Sequence, residues 1–375
     1  MILLTPYLIT AWPAMKQFAL MVMSPGQTTV MPGLALFVMP AIGVMIGLPL
    51  GFAASPPTAL LETLNWLVPL GFGWYVAGSI DDLPNVERAA VRAFIATGFI
   101  IGAYGIYQFF AIPAWDAEWM RNSEMATIGR PEPYLVRVFS TMHSPGVVGF
   151  FLLVPLVLWL ARPTFVALPT ACVTMVSLVL SQVRTAWLGF TIATMLLILA
   201  MTARSRIRLV LLVAVGALCV GPLMSSPEVA DVASNRFRTI FQPDDDVSAV
   251  SRWEGHLRAI EFIGTRPFGS GIGSVDQRIE DVISMRDSVI VATLVQFGIM
   301  GAGFYWVGLW LLFLNLWRYY RRAPNAEAFG LACAGLGLLG TFGFGVVTAG
   351  GSPGVLLWLV GGLAVARRRQ AAVQW

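Results

Sequence analysis

Charge is missing from long stretches of this chain, and those gaps set its architecture. Residues 17–61, 63–80, 93–115, 138–161, 163–183, 185–203, 209–227, 288–317 and 328–366 hold no Asp, Glu, Lys or Arg. One membrane crossing takes about 20 apolar residues at 1.5 Å each. The first and last stretches are long enough for two crossings each, and both break at turn-like sequence: ASPP at 54–57 and TAGGSPG at 348–354. An N-terminal segment at 1–23, interrupted by Pro6, Pro13 and Lys16, adds one more. The pattern predicts an all-α polytopic membrane protein with about 11 transmembrane helices, eleven or twelve in all, spanning 1–375 as a single integral membrane domain.

Composition agrees. The chain is 57% hydrophobic and 12% charged, with mean hydropathy +0.75; a soluble domain carries roughly a quarter charged residues. The opening MILLTPYLITAW lacks a basic stretch and a small-residue cleavage site, so no removable signal peptide is expected. Cys172, Cys219 and Cys333 all lie in apolar runs and read as packed thiols. Arginine clusters at 367–369, 318–322 and 204–208, with Arg162, Arg88 and Arg92, belong on the cytoplasmic side. The net charge of +4 follows those ends and gives no argument for nucleic acid as a partner. Alternating crossings then put two polar segments outside, a shorter one at 116–144 and a large loop at 225–287. The N-terminus falls outside with eleven helices and inside with twelve.

Arg184 stands between two apolar runs, 22 residues after Arg162 and 20 before Arg204. That is a full bilayer thickness from each, so Arg184 is expected at the outer face, in a tight SQVR turn. Two readings stay open on this evidence: an interfacial anchor with a snorkelling side chain, or a functional cation. In the large loop, RWEGHLRAIEFIG spaces Trp253, Leu257, Ile260 and Ile263 as an amphipathic helix with Ser251 as its N-cap. Such a helix can lie at the membrane surface over a cavity. The following RPFGSGIGS alternates three glycines but lacks the strand, helix and GK[ST] of phosphate loops, so it reads as a tight loop that lets backbone approach a ligand or another helix. In the shorter segment, YLVRVFSTMHSPGVV sets Arg137, Ser140, Thr141 and His143 before a helix expected to start at Ser144 and Pro145.

No metal constellation or nucleophile elbow is legible; the acidic run at 244–246 reads as a solvated turn. What remains is an excess of arginines near outer helix ends: Arg137, Arg184, Arg252, Arg258, Arg266 and Arg286. Guanidinium binds phosphate through paired N–H groups and keeps its charge. A lipid substrate with a pyrophosphate head fits that arrangement, whereas Arg258 and Arg278 read as solvated loop charges. A small-anion transporter is the alternative from another class, although no carboxylate or arginine lies deep in the apolar stretches, where transporters place such groups.

Three blocks in order, RVFSTMHSPGVVGFFLL, SQVRTAWLGF and SRWEGHLRAIEFIGTRPFGSGIGS, resemble the bacterial O-antigen ligase and Wzy-type polysaccharide polymerase superfamily over roughly residues 130–320. The resemblance implies a GT-C-like fold and a glycosyltransferase of the inner membrane, with its site and both outer segments facing the periplasm. It implies transfer of a glycan from undecaprenyl pyrophosphate to a sugar hydroxyl of an acceptor glycan, with inversion and with no cofactor, nucleotide sugar or metal. Membrane lipid, a chain-length regulator and other polysaccharide export proteins are the implied partners. By matching position Arg184 holds the pyrophosphate, assisted by Arg137, Arg252, Arg266, Arg286 and His143. Ligases of the family commonly carry a histidine where the helix after the large loop begins. This chain has Arg286 and Asp287 there, which favours a polymerase over an O-antigen ligase or a protein O-oligosaccharyltransferase. Asp287 is then the candidate base, and His256, reaching in from the amphipathic helix, is the other.

Overall fold

The computed structural model describes residues 33–79, 81–123, 128–200, 206, 247–274, 288–345, 347–349 and 351–373. Eleven α-helices are described: α1 (Ala35–Ala54), α2 (Pro56–Ala77), α3 (Leu83–Ala111), α4 (Ala114–Asn122), α5 (Pro145–Ala161), α6 (Leu168–Leu180), α7 (Arg184–Ala200), α8 (Val247–Thr265), α9 (Val289–Arg321), α10 (Ala326–Leu339) and α11 (Gly351–Val373), with a short 3-10 helix at Phe342–Phe344. Among the described residues there is no strand, only an isolated bridge between Gly129 and Val136. Three helices, α1, α3 and α9, are long and apolar enough to cross a membrane, and α5, α6, α7 and α10 are shorter apolar helices. The expected crossings at 1–23 and 209–227 lie outside the described residues.

Local chemistry sets most of the boundaries. Ser55, extended at φ −158°, is the single residue between α1 and α2, because Pro56 disfavours a helical conformation before it and then occupies the first helical position itself. The helix expected over 63–80 therefore starts seven residues early. α5 begins at Pro145, and the Ser144 hydroxyl accepts the Val147 N–H at 3.4 Å, as the sequence predicted. α3 runs down to Leu83 through Glu87, Arg88 and Arg92, so the charge-free stretch underestimates its length.

α8 departs from expectation at its start: it begins at Val247, which puts Ser251 inside the helix and not at its cap. Ala259 and Ile263 pack against Val291, Leu294 and Val295 of α9, while Trp253, Leu257 and Ile260 point outward and are at least half exposed. Small residues admit close helix contact, and the bulky apolar face is left for lipid or a ligand.

The chain divides into two compact units. Unit 1 contains α1, α2, α8, α9 and α11. Here α9 packs along α1 and against α8 and α11, and α2 packs on α1 and α11. Trp66 meets Phe297 and Tyr305 edge-on at 5.0 and 5.1 Å in its core. Unit 2 contains α4 to α7, nearly all of α3, and most of α10. α5 is apolar all round and almost wholly buried, which is the pattern of a central helix; α6 and α7 both pack on it. An ion pair joins Arg162 at its end to Glu327 of α10.

Candidate functional site

In unit 2 the first two sequence blocks come together. α6 ends at Leu180 and α7 opens on Arg184, so only Ser181, Gln182 and Val183 make the turn. Ser181 Oγ donates to Leu178 O at 2.7 Å, and Trp187 Nε1 donates to the same carbonyl at 3.0 Å. Those bonds satisfy a helix-end acceptor that would otherwise be orphaned. The Arg137 guanidinium donates through Nη2 to Gln182 O at 3.2 Å, and Val138 N donates to Leu180 O at 3.3 Å. Arg137 is thus braced on the turn that carries Arg184. Both arginines are half-buried, and His143 is exposed one residue before the Ser144 cap.

This region is conformationally strained. Among the described residues, four that are not glycine have positive φ: Ile112, Tyr134, Ser140 and Gln182, at 33°, 67°, 51° and 55°. All four lie in unit 2, between α3 and α7. Side chains other than glycine avoid this region of backbone space, and such strain persists only where neighbours over-determine the conformation.

In unit 1 the third block builds a second cluster. His256 lies one helical turn after Arg252, and its Nδ1 is 2.6 Å from Arg252 O. A carbonyl can only accept, so Nδ1 carries the hydrogen, and in the neutral ring Nε2 keeps the lone pair. That nitrogen sits 3.0 Å from Ser288 Oγ. Ser288 caps α9, its Oγ also accepting the Val291 N–H at 3.4 Å. The hydroxyl therefore donates to Nε2 and accepts from the backbone. Arg252 is half-buried, and its Nε has no hydrogen-bond partner among the described residues. Arg266, exposed just past the end of α8, lies over the Phe262 ring at 5.7 Å. It is about 15 Å along the helix axis from His256 at 1.5 Å per residue, so α8 does not bring those two together. Arg286 and Asp287 lie outside the described residues.

The glycine loop docks on helices. α9 is broken at Gly298, where φ 70° and ψ −177° form a conformation essentially reserved for glycine. The break frees backbone groups that the loop at 267–274 satisfies: Ile299 N donates to Pro267 O at 2.9 Å and Ser270 N to Val295 O at 2.7 Å. On its other side Ile272 N donates to Gly47 O of α1 at 2.9 Å. Gly273 N donates to Gln296 Oε1 at 3.2 Å. Broken helices survive at membrane depth only where protein satisfies the freed backbone. Of the two partners the alternating glycines allowed, the loop meets another helix.

Residues 166–306 match the O-antigen ligase family model. That match supports the resemblance to the O-antigen ligase and Wzy-type superfamily over this stretch. No curated protein matches the chain. The O-antigen ligase match runs from just before α6 to beyond the break in α9, and so contains Arg184, Arg252, His256, Arg266 and the glycine loop. Arg137 and His143 precede it. It supports a membrane enzyme of the ligase or polymerase type, with ligase- or glycosyltransferase-like activity on lipid-linked glycans.

Sequence reasoning missed Ser288 as the partner of His256, and missed the polar residues beneath Ser140. Ser288 was legible as a cap, being the serine directly before an apolar helical run. Gln108 is the only amide side chain in the charge-free stretch 93–115, and an amide in an apolar run is a signal for a built interaction.

Proposed function

We propose that this chain is a polysaccharide polymerase-type glycosyltransferase of the bacterial inner membrane. It takes a glycan from undecaprenyl pyrophosphate at the periplasmic face and passes it to a hydroxyl of an acceptor glycan. The observation that carries this reading is the SQVR turn. Arg184 opens α7 inside the O-antigen ligase match, and Arg137 is braced on the same turn through Gln182. Two arginines at a helix start, the positive end of the helix dipole, suit a diphosphate. Neutralising the charge on the leaving pyrophosphate lowers the barrier, and one well-placed donor contributes about 3 kcal/mol. In unit 2 His143 is a further candidate for a substrate phosphate, and in the third block Arg252, whose buried Nε has no hydrogen-bond partner among the described residues, Arg266 and Arg286 are candidates in their own right. A single displacement inverts the anomeric carbon.

His256 is the better of the two base candidates, because its Nε2 lone pair is oriented at the start of α9. In the resemblance, that helix start is where ligases carry their histidine. An imidazole therefore stands at that place after all, supplied by α8, and this observation favours O-antigen ligase as the second reading.

The test is polymer length on a gel from a deletion strain complemented with wild type, Arg184→Ala or Arg184→Lys, at matched membrane levels. Under the polymerase reading, Arg184→Ala accumulates single repeat units with transfer down roughly 100-fold, and Arg184→Lys rescues poorly because ammonium cannot make the paired contact. Normal polymer that stays on its lipid carrier selects the ligase reading. Normal polymer, normally transferred, in both variants overturns the site.

A further inference from the structure

Beneath the strained turn at Ser140 lies a buried polar relay that links three segments of unit 2. Asp116, in the first turn of α4, is only 8% exposed. Its Oδ2 accepts the Tyr104 hydroxyl at 2.9 Å and Gln108 Nε2 at 2.7 Å. Gln108 is fully buried on α3. Because its Nε2 faces the carboxylate, its Oε1 is turned toward the backbone, where it accepts Phe139 N at 3.0 Å and Ser140 N at 2.8 Å. Ser140 Oγ donates to Ile101 O at 2.7 Å. Trp115 Nε1 donates to Tyr104 Oη at 2.7 Å, fixing the far end.

A buried carboxylate is costly, and an apolar pair of the same shape would hold α3 against α4 without it. What the carboxylate adds is direction: it decides which way the Gln108 amide points. The amide oxygen then clamps two successive N–H groups of a residue pair whose second member is left-handed. Three residues upstream, Arg137 reaches the SQVR turn through Gln182.

We propose that Asp116 and Gln108 are positioning residues for the phosphate-binding arginines, acting through the backbone of 139–140 to fix Arg137 against the turn of Arg184. The inference rests on the proposed function, since it supplies the role of the arginines. Its test is transfer of lipid-linked glycan in membranes containing equal amounts of Asp116→Ala, Arg184→Ala or the double variant. Asp116→Ala slows transfer about 10- to 100-fold, the scale of a small misplacement of catalytic groups. The double variant is no slower than Arg184→Ala alone, because the pair acts through the arginines; a merely structural Asp116 would multiply the two losses. The isosteric swap, Asp116→Asn with Gln108→Glu, exchanges donor for acceptor and restores transfer, and it serves as the deciding variant if Asp116→Ala does not accumulate. Multiplied losses, wild-type transfer by Asp116→Ala, or an inactive swap at normal membrane level overturns this inference and leaves the function standing. Wild-type transfer by Arg184→Ala overturns the function itself, and this inference with it.

Discussion

Two loops of this protein are built on opposite principles. In unit 2 the segment 137–140 is held by side chains: a glutamine amide clamps its backbone, a serine hydroxyl ties it to α3, and an arginine crosses to the next turn. Left-handed residues there keep their side chains. In unit 1 the segment 267–274 is held mostly by backbone, through bonds to Val295, Gly47 and Ile299. It needs the absence of side chains: a Cβ on Gly271 would lie 2.2 Å from Gly51 N. A side-chain clamp can be tuned residue by residue, whereas a backbone dock either fits or fails. Substitutions should therefore give graded losses of function in the first loop and loss of the fold in the second.

The sharpest break of that contrast is Gly271→Val. At φ 95° a branched side chain is strained, and it would collide with backbone that cannot move aside. The expected cost is about 4 kcal/mol or more, in the range reserved for a few severe mechanisms. In detergent extracts the variant should be depleted from the membrane fraction, and what remains should melt at lower temperature. A stable Gly271→Val would show that the loop is not docked on α1.

His256 lies between the two extremes, because its ring is fixed by one backbone carbonyl and one side-chain hydroxyl. As a general base it contributes about 10²- to 10⁴-fold. His256→Ala should lose that factor while the protein still accumulates in the membrane. Ser288→Ala keeps the base but removes its alignment and the cap of α9, giving a smaller loss of rate together with a modest loss of stability. A His256→Ala enzyme with wild-type rate would point to Asp287 as the base.

How much of this was legible in the sequence depended on which interactions were local. The Ser144–Pro145 start of α5 and the SQVR turn were readable because cap chemistry and charge spacing act over a few residues. The match of Arg184 to the family followed from the same local block. The start of α8 was misplaced at Ser251, four residues inside the helix, and the period of Trp253, Leu257 and Ile260 did not say which face packs on protein; that is decided by α9. Neither the break at Gly298 nor its repair by 267–274 was visible, because the break is stable only when a loop some 30 residues away in sequence satisfies it. Gln108 and Asp116 belong to the same class: an amide in an apolar run signals an interaction without naming its partner, and the relay exists only once α3, α4 and 139–140 meet.

The finest test of the contrast is Gln182→Gly, which removes a side chain from the turn that Arg137 of the first loop braces and gives it the chemistry of the second loop. Gln182 sits at φ 55°, so glycine relieves backbone strain, while the unfolded chain gains freedom that folding must remove. The two effects oppose, and net stability should change by no more than about 1 kcal/mol. The carbonyl that accepts Arg137 is retained, so the brace itself is not deleted. What changes is the stiffness of the turn between that carbonyl and Arg184. If strain at Gln182 is held in place to fix the arginine, transfer should fall several-fold while the melting temperature of the purified protein barely moves. If transfer and melting are both unchanged, the left-handed residue is an incidental feature of a short helix connection, and positioning must come from the Arg137 side alone.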